Sequence, residues 1–133
     1  MTEKLIDRAT VKSWLAGYVR AWTTNDPADI EALFTPDAVY RPTPHSDGWR
    51  GHAAIVAGWI GRKDDPGTWS FEHTILAVDD DLAVVEGRTI YRTPPLDYSN
   101  LWVLRFAPDG RCREFVEWWV DRNAPDPGEP APA

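Results

Sequence analysis

Acid–base chemistry could come from two ionisable side chains that lie in segments with the alternation of β-strands. His73 falls in residues 69–78, where Trp69, Phe71 and Ile75 occupy alternate positions with it. Side chains at every second position share one face of a strand, so these large apolar residues mark the core face. The pattern predicts that His73 points inward, where an imidazole could transfer protons near neutral pH.

The second ionisable side chain is Glu117, whose orientation alternation alone leaves open. Residues 111–121 form a predicted strand, and its more apolar set consists of Cys112, Val116, Trp118 and Val120. Hydrophobicity favours this set for the core, which would leave Glu117 in water. The other set contains Glu117 together with Arg113, Phe115 and Trp119. If this set faces inward, its aromatic side chains desolvate the carboxylate and raise the Glu117 pKa towards the range of a general acid or base.

The N-terminal half of the chain is predicted to be helical. Apolar residues at helical spacing mark a first helix that runs to about Trp22, and they are Val11, Trp14, Leu15, Tyr18 and Trp22. Asp26 and Pro27 are typical of a second helix start, because aspartate caps free N–H groups and proline lacks one. We expect the apolar stripe of this helix to reach Phe34 and the helix to end at Pro36. A third helix is predicted over residues 51–60.

The remaining elements are predicted strands. A short strand covers residues 38–41, and the segments 69–78, 82–93, 98–106 and 111–121 follow the third helix. The turns between the last four contain Asp79, the pair Pro94 and Pro95, or Asp109 and Gly110, which suits hairpin connections. Helices followed by an antiparallel meander predict an α+β fold.

Composition limits the class of protein. A length of 133 residues suits one domain, which we place at residues 1–122, followed by a proline-rich tail expected to be disordered over 123–133. The formal charge of −7 disfavours nucleic acid and anionic membranes as partners. With neither a long apolar run nor a signal-like N-terminus, we expect a cytoplasmic protein. Cys112 is the only cysteine, and no metal or other cofactor is expected.

Residues 18–40 carry a family resemblance: an aromatic end of one helix, a capped second helix, and then Phe34-Thr35-Pro36-Asp37-Ala38-Val39-Tyr40. This order resembles the SnoaL-like branch of the nuclear-transport-factor-2-like superfamily. The resemblance implies a curved sheet and helices that form a cone-like barrel around one deep pocket. It gives the location of a site and leaves the ligand open.

Within that superfamily, the last two predicted strands are similar to those of the ketosteroid isomerases. The similarity is carried by Arg105-Phe106, the turn to Gly110-Arg111, and the pair Trp118-Trp119. The isomerase register implies inward positions for Tyr98, Asn100, Trp102, Leu104, Phe115, Glu117 and Trp119. The opposite face, with Val116, Trp118 and Val120, would then pack against a second subunit, so a homodimer is expected.

The resemblance also limits the chemistry. The isomerases' catalytic carboxylate falls at Pro42 and their second oxyanion-hole acid at Trp102, so steroid isomerisation by their mechanism is not expected. Of their set, only the hydrogen-bonding tyrosine has a counterpart, Tyr18. The expected catalytic residues are Glu117, Tyr18 and His73. The expected substrate-binding residues are Trp22, Trp59, Tyr98, Asn100, Trp102, Phe115 and Trp119.

This set suits a small hydrophobic ligand that contains a carbonyl group. Tyr18 and Asn100 could donate hydrogen bonds to the carbonyl oxygen while Glu117 moves a proton on the adjacent carbon. The expectation is a cofactor-free isomerase, cyclase or lyase, as for SnoaL-like polyketide cyclases. The alternatives are a domain that binds such a ligand without catalysis, and a module that serves only for dimerisation.

Overall fold

A computed structural model describes residues 6–125 of the chain. Three helices and six strands occur in this part: α1 (Arg8–Thr24), α2 (Pro27–Glu31), β1 (Phe34–Arg41), β2 (Trp49–Arg50), α3 (His52–Gly61), β3 (Trp69–Asp79), β4 (Leu82–Tyr91), β5 (Leu96–Phe106) and β6 (Cys112–Asp121). The α+β prediction is therefore confirmed. Most of the tail for which disorder was predicted, residues 126–133, lies outside the described residues. None of the helices in residues 6–125 has both the length and the apolar character needed to cross a membrane.

The second helix starts where the sequence predicts and ends earlier. Asp26 caps it by accepting a hydrogen bond from the backbone N–H of Ala28, and Pro27 is its first residue. The helix stops at Glu31, and Phe34 already belongs to β1. The reason is the carbonyl of Leu33, which accepts hydrogen bonds from the Trp14 indole at 2.9 Å and from the backbone N–H of Cys112 at 2.8 Å. These partners, which are distant in the sequence, take the place of the backbone N–H four residues further on, which the carbonyl would bind in a longer helix.

The six strands form one sheet in the order β2-β1-β6-β5-β4-β3. Neighbouring strands are antiparallel except for β1 and β6, which are parallel. The predicted meander, β3 to β6, is antiparallel, and the strand that follows α2 adds one parallel pair beside β6, so the sheet as a whole is mixed. The strand order is linear, so β2 and β3 remain edges and the sheet does not close into a hydrogen-bonded barrel.

Register shifts bend the sheet, since a β-bulge puts an extra residue into one strand. One lies where β5 pairs with β6: Phe106 is opposite Cys112, whereas Arg105 is opposite Glu114. The extra residue changes the alternation, so that Cys112 and Phe115 are both fully buried although three positions separate them. This bulge sets which residues of β6 face the concave side of the sheet.

An aromatic core fills the space between α1, α3 and the concave side of the sheet. Phe115 lies at its centre, with the Tyr40 ring stacked at 4.2 Å and the Tyr18 ring parallel at 5.6 Å between centroids. Trp102 packs against Phe115 at 5.0 Å and against Tyr18 at 4.6 Å. The burial of such large rings is a major apolar contribution to stability. One side of this cluster remains open and forms the wall of a pocket.

Candidate functional site

A pocket of about 340 Å³ opens between α1, the C-terminal end of α3 and strands β4 to β6. This volume is near the lower end of the range for small-molecule sites. Aromatic side chains dominate its wall, and two carboxylates, two cations and a few neutral polar groups complete it. The lining residues are Tyr18, Trp22, Tyr40, Pro42, Trp49, Trp59, Arg62, Lys63, Asp64, Thr89, Tyr91, Tyr98, Asn100, Trp102, Glu117 and Trp119.

Glu117 is held on the pocket wall by two neighbouring side chains of β5. Its Oε2 accepts hydrogen bonds from the Asn100 amide at 2.9 Å and from the Trp102 indole at 2.6 Å. Trp102 is directly opposite Glu117 in the strand register, so strand pairing itself creates this arrangement. Burial raises the Glu117 pKa, and the two donated hydrogen bonds only partly oppose that effect.

The Asn100 amide is itself oriented by a second hydrogen bond. The Thr89 hydroxyl donates to Asn100 Oδ1 at 2.8 Å, and Thr89 is only 3% exposed. With its oxygen occupied in this way, the amide presents its N–H groups to Glu117. Both hydrogen bonds to Glu117 end on Oε2, and no donor among residues 6–125 reaches Oε1. A chain of polar groups thus positions the carboxylate with one oxygen available to a ligand.

Two tyrosines form a hydroxyl pair in the pocket. The Tyr18 and Tyr40 oxygens are 2.7 Å apart, so one hydroxyl donates to the other. Burial is the main reason why the pKa values of both are raised, and the negative charge of Glu117 contributes in the same direction. Both groups therefore remain neutral hydroxyls at physiological pH and can donate a hydrogen bond. Tyr18 was predicted from the sequence as a catalytic residue, whereas Tyr40 was not.

A second carboxylate, Asp64, lies in the segment after α3 and was also missed. Its Oδ2 accepts hydrogen bonds from the Trp22 indole at 3.0 Å and from the Tyr91 hydroxyl at 3.2 Å. Asn25 holds the same segment, because its amide donates to the Asp64 carbonyl at 3.0 Å while its Oδ1 accepts from the Trp59 indole at 3.1 Å. This network satisfies the indole N–H groups of Trp22 and Trp59.

The structure brings most of the sequence-predicted residues together. Phe115 is an exception, because it is fully buried behind the two tyrosines and does not reach the pocket surface. The residues of the predicted set that do line the pocket are Tyr18, Trp22, Trp59, Tyr98, Asn100, Trp102, Glu117 and Trp119. The alternative of the sequence analysis that put Glu117 on the inner face is therefore the one observed.

His73 is the clear departure from the expected arrangement. Its side chain is exposed and absent from the pocket lining, so the prediction that it points into the pocket is wrong. The residue opposite His73 is Gly87, and the Phe71 ring lies so close above Gly87 that an added Cβ would be 2.5 Å from it. Phe71 also stacks on Trp102 at 4.9 Å. It thus fills the inner face that His73 was expected to reach.

Among the described residues, no group of three or more histidine, cysteine, aspartate or glutamate side chains has an arrangement that could hold a metal ion. The polar groups on the pocket wall include Glu117, the hydroxyls of Tyr18 and Tyr40, and the Asn100 amide, and such groups can form hydrogen bonds and transfer protons.

Comparison with known proteins identifies the family. The family model of the SnoaL-like domain matches residues 15–115. A putative ketosteroid isomerase from Kribbella flavida DSM 17836 has a similar structure, with a TM-score of 0.68, 21% identity, and coverage of 94% of this chain and 92% of that chain. An NTF-2 like protein of unknown function from Burkholderia xenovorans LB400 has a TM-score of 0.67, 16% identity, and coverage of 90% and 89%.

At these identities the two solved structures are evidence for the fold alone. No curated protein matches the chain in sequence. The family model nevertheless covers most of the chain, from α1 to β6. The chain therefore belongs to the SnoaL-like family and has the NTF2-like fold.

Proposed function

We propose that the protein binds a small hydrophobic carbonyl compound and catalyses its isomerisation, cyclisation or cleavage by cofactor-free proton transfer, with Glu117 as the acid–base group. The observation that carries this proposal is the Glu117 carboxylate, which lies in an aromatic pocket that raises its pKa. A raised pKa makes a carboxylate a stronger base and keeps it able to return the proton. Such perturbed groups in pockets are typical of catalytic sites.

The proposed step starts with the ligand carbonyl near the Tyr18 hydroxyl. Glu117 removes a proton from the carbon next to that carbonyl through its Oε1, and the electron pair of the C–H bond moves to the carbonyl oxygen. The enolate oxygen accepts a hydrogen bond from Tyr18, which Tyr40 supports at 2.7 Å. Return of the proton to another carbon gives an isomer. Attack of the enolate on a second carbonyl closes a ring, and the reverse reaction cleaves one.

Deuterium exchange tests this step without knowledge of the natural substrate. β-Tetralone, a bicyclic ketone with acidic hydrogens next to its carbonyl, is incubated with the protein in deuterium oxide and followed by NMR. We expect exchange above the buffer rate, and Glu117→Gln should lower the protein-dependent rate by about 100-fold or more, the usual contribution of a general base. Glu114→Gln is the matched control, because Glu114 lies on the same strand and its carboxylate contacts Arg105 rather than the pocket.

Full exchange by Glu117→Gln would refute the catalytic assignment. If wild type binds β-tetralone in calorimetry without accelerating exchange, the second candidate function, binding without catalysis, takes its place. The hydrogen bonds from Asn100 and Trp102 favour that second function to some extent, because they stabilise the ionised carboxylate and make it a weaker base.

We also propose that the protein forms a homodimer through the convex face of the sheet. On this face Trp118 is 48% exposed and Val120 is 65% exposed. Leu101 is opposite Trp118, and Val103 is opposite Val116, so the apolar surface is continuous over two strands. An exposed apolar patch of this kind is typical of an interface.

Charged pairs of both signs lie beside this patch, including Arg88 with Asp97 and Arg105 with Glu114. A surface that carries both signs can be complementary to itself, as a twofold axis requires. Sedimentation should give a dimer at micromolar concentration, and Trp118→Glu should shift it to a monomer. A wild-type monomer, or a Trp118→Glu variant of unchanged mass, would contradict the proposal.

A further inference from the structure

We infer that the ligand is an acid: its apolar body and carbonyl lie inside the pocket, and a carboxylate at its outer end contacts Arg62 and Lys63. The inference rests on the proposed function, because it assumes that the same pocket holds the ligand. It adds a substrate class to it, namely hydrophobic carbonyl compounds that carry a carboxylate.

The first observation is the position of the cations. Arg62 and Lys63 are the only lysine or arginine residues, within the described part of the chain, that line the pocket. Both directly follow α3, and backbone hydrogen bonds to the helix end hold them there: the Arg62 N–H donates to the Trp59 carbonyl at 3.1 Å, and the Lys63 N–H donates to the Ile60 carbonyl at 3.4 Å. Their side chains are exposed, so they lie at the mouth.

The second observation is that no carboxylate of residues 6–125 forms an ion pair with either cation. Within residues 6–125 neither side chain takes part in an ion pair, although the chain has 21 acidic residues against 14 lysines and arginines. Arg62 instead lies over the ring of Trp49, 5.7 Å from its centroid, and Trp49 lines the pocket. This cation–π contact keeps the guanidinium beside the opening and leaves its N–H groups available for an anion.

The third observation is the charge of the interior. Glu117 and Asp64 are the carboxylates that line the pocket, and Asp64 is directed there by Trp22 and Tyr91. A ligand carboxylate placed deeply would lie beside these like charges, and no lysine or arginine of residues 6–125 other than the two at the mouth lines the pocket. The favourable orientation therefore puts the ligand anion at Arg62 and Lys63 and the neutral carbonyl near Tyr18.

Calorimetry with a matched pair of probes tests the inference. Naphthoylpropionate is an aryl ketone with a carboxylate, and its methyl ester is neutral and has nearly the same shape. We expect wild type to bind the acid about tenfold more tightly than the ester, an effect of the size that two partly exposed ion pairs produce. Added salt should weaken the binding of the acid and leave that of the ester unchanged.

The variant Arg62→Gln/Lys63→Gln should lose the preference for the acid and keep the affinity for the ester. Lys12→Gln is the control, because Lys12 is an exposed cation of α1 outside the pocket. Equal affinity for acid and ester in wild type would overturn the inference while the proposed function stands, since the ester still reports the hydrophobic pocket. If the double variant lost affinity for the acid and the ester equally, this would also overturn the inference, because the two side chains would then contribute packing rather than charge. Failure of wild type to bind either probe would overturn both the inference and the proposed function.

Discussion

The hydroxyl pair of Tyr18 and Tyr40 allows a quantitative test of the site. Their side chains are 6% and 7% exposed, and their oxygens are 2.7 Å apart. Tyr18→Phe leaves the Tyr40 hydroxyl without its partner in a largely buried place, and Tyr40→Phe does the same to Tyr18. Leaving a buried polar group unsatisfied costs about 1–3 kcal/mol, whereas replacing both partners by apolar groups is much closer to neutral. Because both hydroxyls reach the pocket surface, where water can enter, we expect the lower part of that range.

The double variant Tyr18→Phe/Tyr40→Phe should therefore be destabilised by less than the sum of the single variants. We expect a coupling energy of about 1 kcal/mol, which exceeds the roughly 0.3–0.5 kcal/mol within which independent sites add. Urea unfolding followed by circular dichroism gives the four free energies of unfolding. Tyr98→Phe is the control, because Tyr98 lines the same pocket and its hydroxyl makes no hydrogen bond to the described residues. Additive effects of the Tyr18 and Tyr40 changes would refute the bond, and with it the supported hydrogen-bond donor of the proposed mechanism.

Three further outcomes are expected. Folding raises the Glu117 pKa above its ordinary 4.5, so wild type loses stability as the pH rises through the folded pKa. Glu117→Gln should therefore be more stable than wild type near neutral pH, and the difference between the two should be smaller at acidic pH. Urea unfolding at both pH values measures this difference. Gly58→Ala should destabilise the protein by about 1 kcal/mol, because the added Cβ would lie 2.3 Å from the Trp49 ring and overpack the site. Gly61→Ala adds a Cβ in open space, so it should stabilise the protein by up to about 1 kcal/mol through its higher helix propensity. Burial raises the Cys112 pKa, so a thiol reagent should modify it only after unfolding; equal rates in native and unfolded protein would contradict this.

Local sequence patterns predict the elements of this fold better than their ends and partners. The start of α2 follows from Asp26 and Pro27, because capping depends on adjacent residues. The end of α2 depends on Leu33, whose carbonyl bonds to Trp14 and Cys112. Those partners are distant in sequence, so the apolar stripe alone could not show that the helix stops at Glu31. The parallel pairing of β1 with β6 was missed for the same reason.

For the site, too, some residues could be predicted from the sequence and others depend on contacts that no local pattern shows. Tyr18, Asn100 and Trp102 lie in the pocket as the family resemblance implies, because strand register belongs to the fold. Tyr40 was missed because its predicted strand was too short and had no assigned inner face. Asp64 was missed because a turn after a helix shows no periodicity. One sequence signal was Asn25, since asparagine is common just after the end of a helix, and its amide holds the segment that contains Asp64.

Glu117 links the stability of the fold to its proposed chemistry. Hydrophobicity alone favoured the Val116 and Trp118 side of β6 as the core face, yet the bulge and the pairing with β5 direct Glu117 towards the aromatic cluster. Burial beside these rings makes the charged carboxylate unfavourable, and the Asn100 and Trp102 hydrogen bonds offset only part of this effect. An ionised Glu117 is therefore unfavourable for folding at the position that the proposed mechanism assigns to the base. Such an exchange of stability for activity is expected at catalytic sites, and it explains why the same substitution, Glu117→Gln, should both stabilise the protein and stop proton exchange.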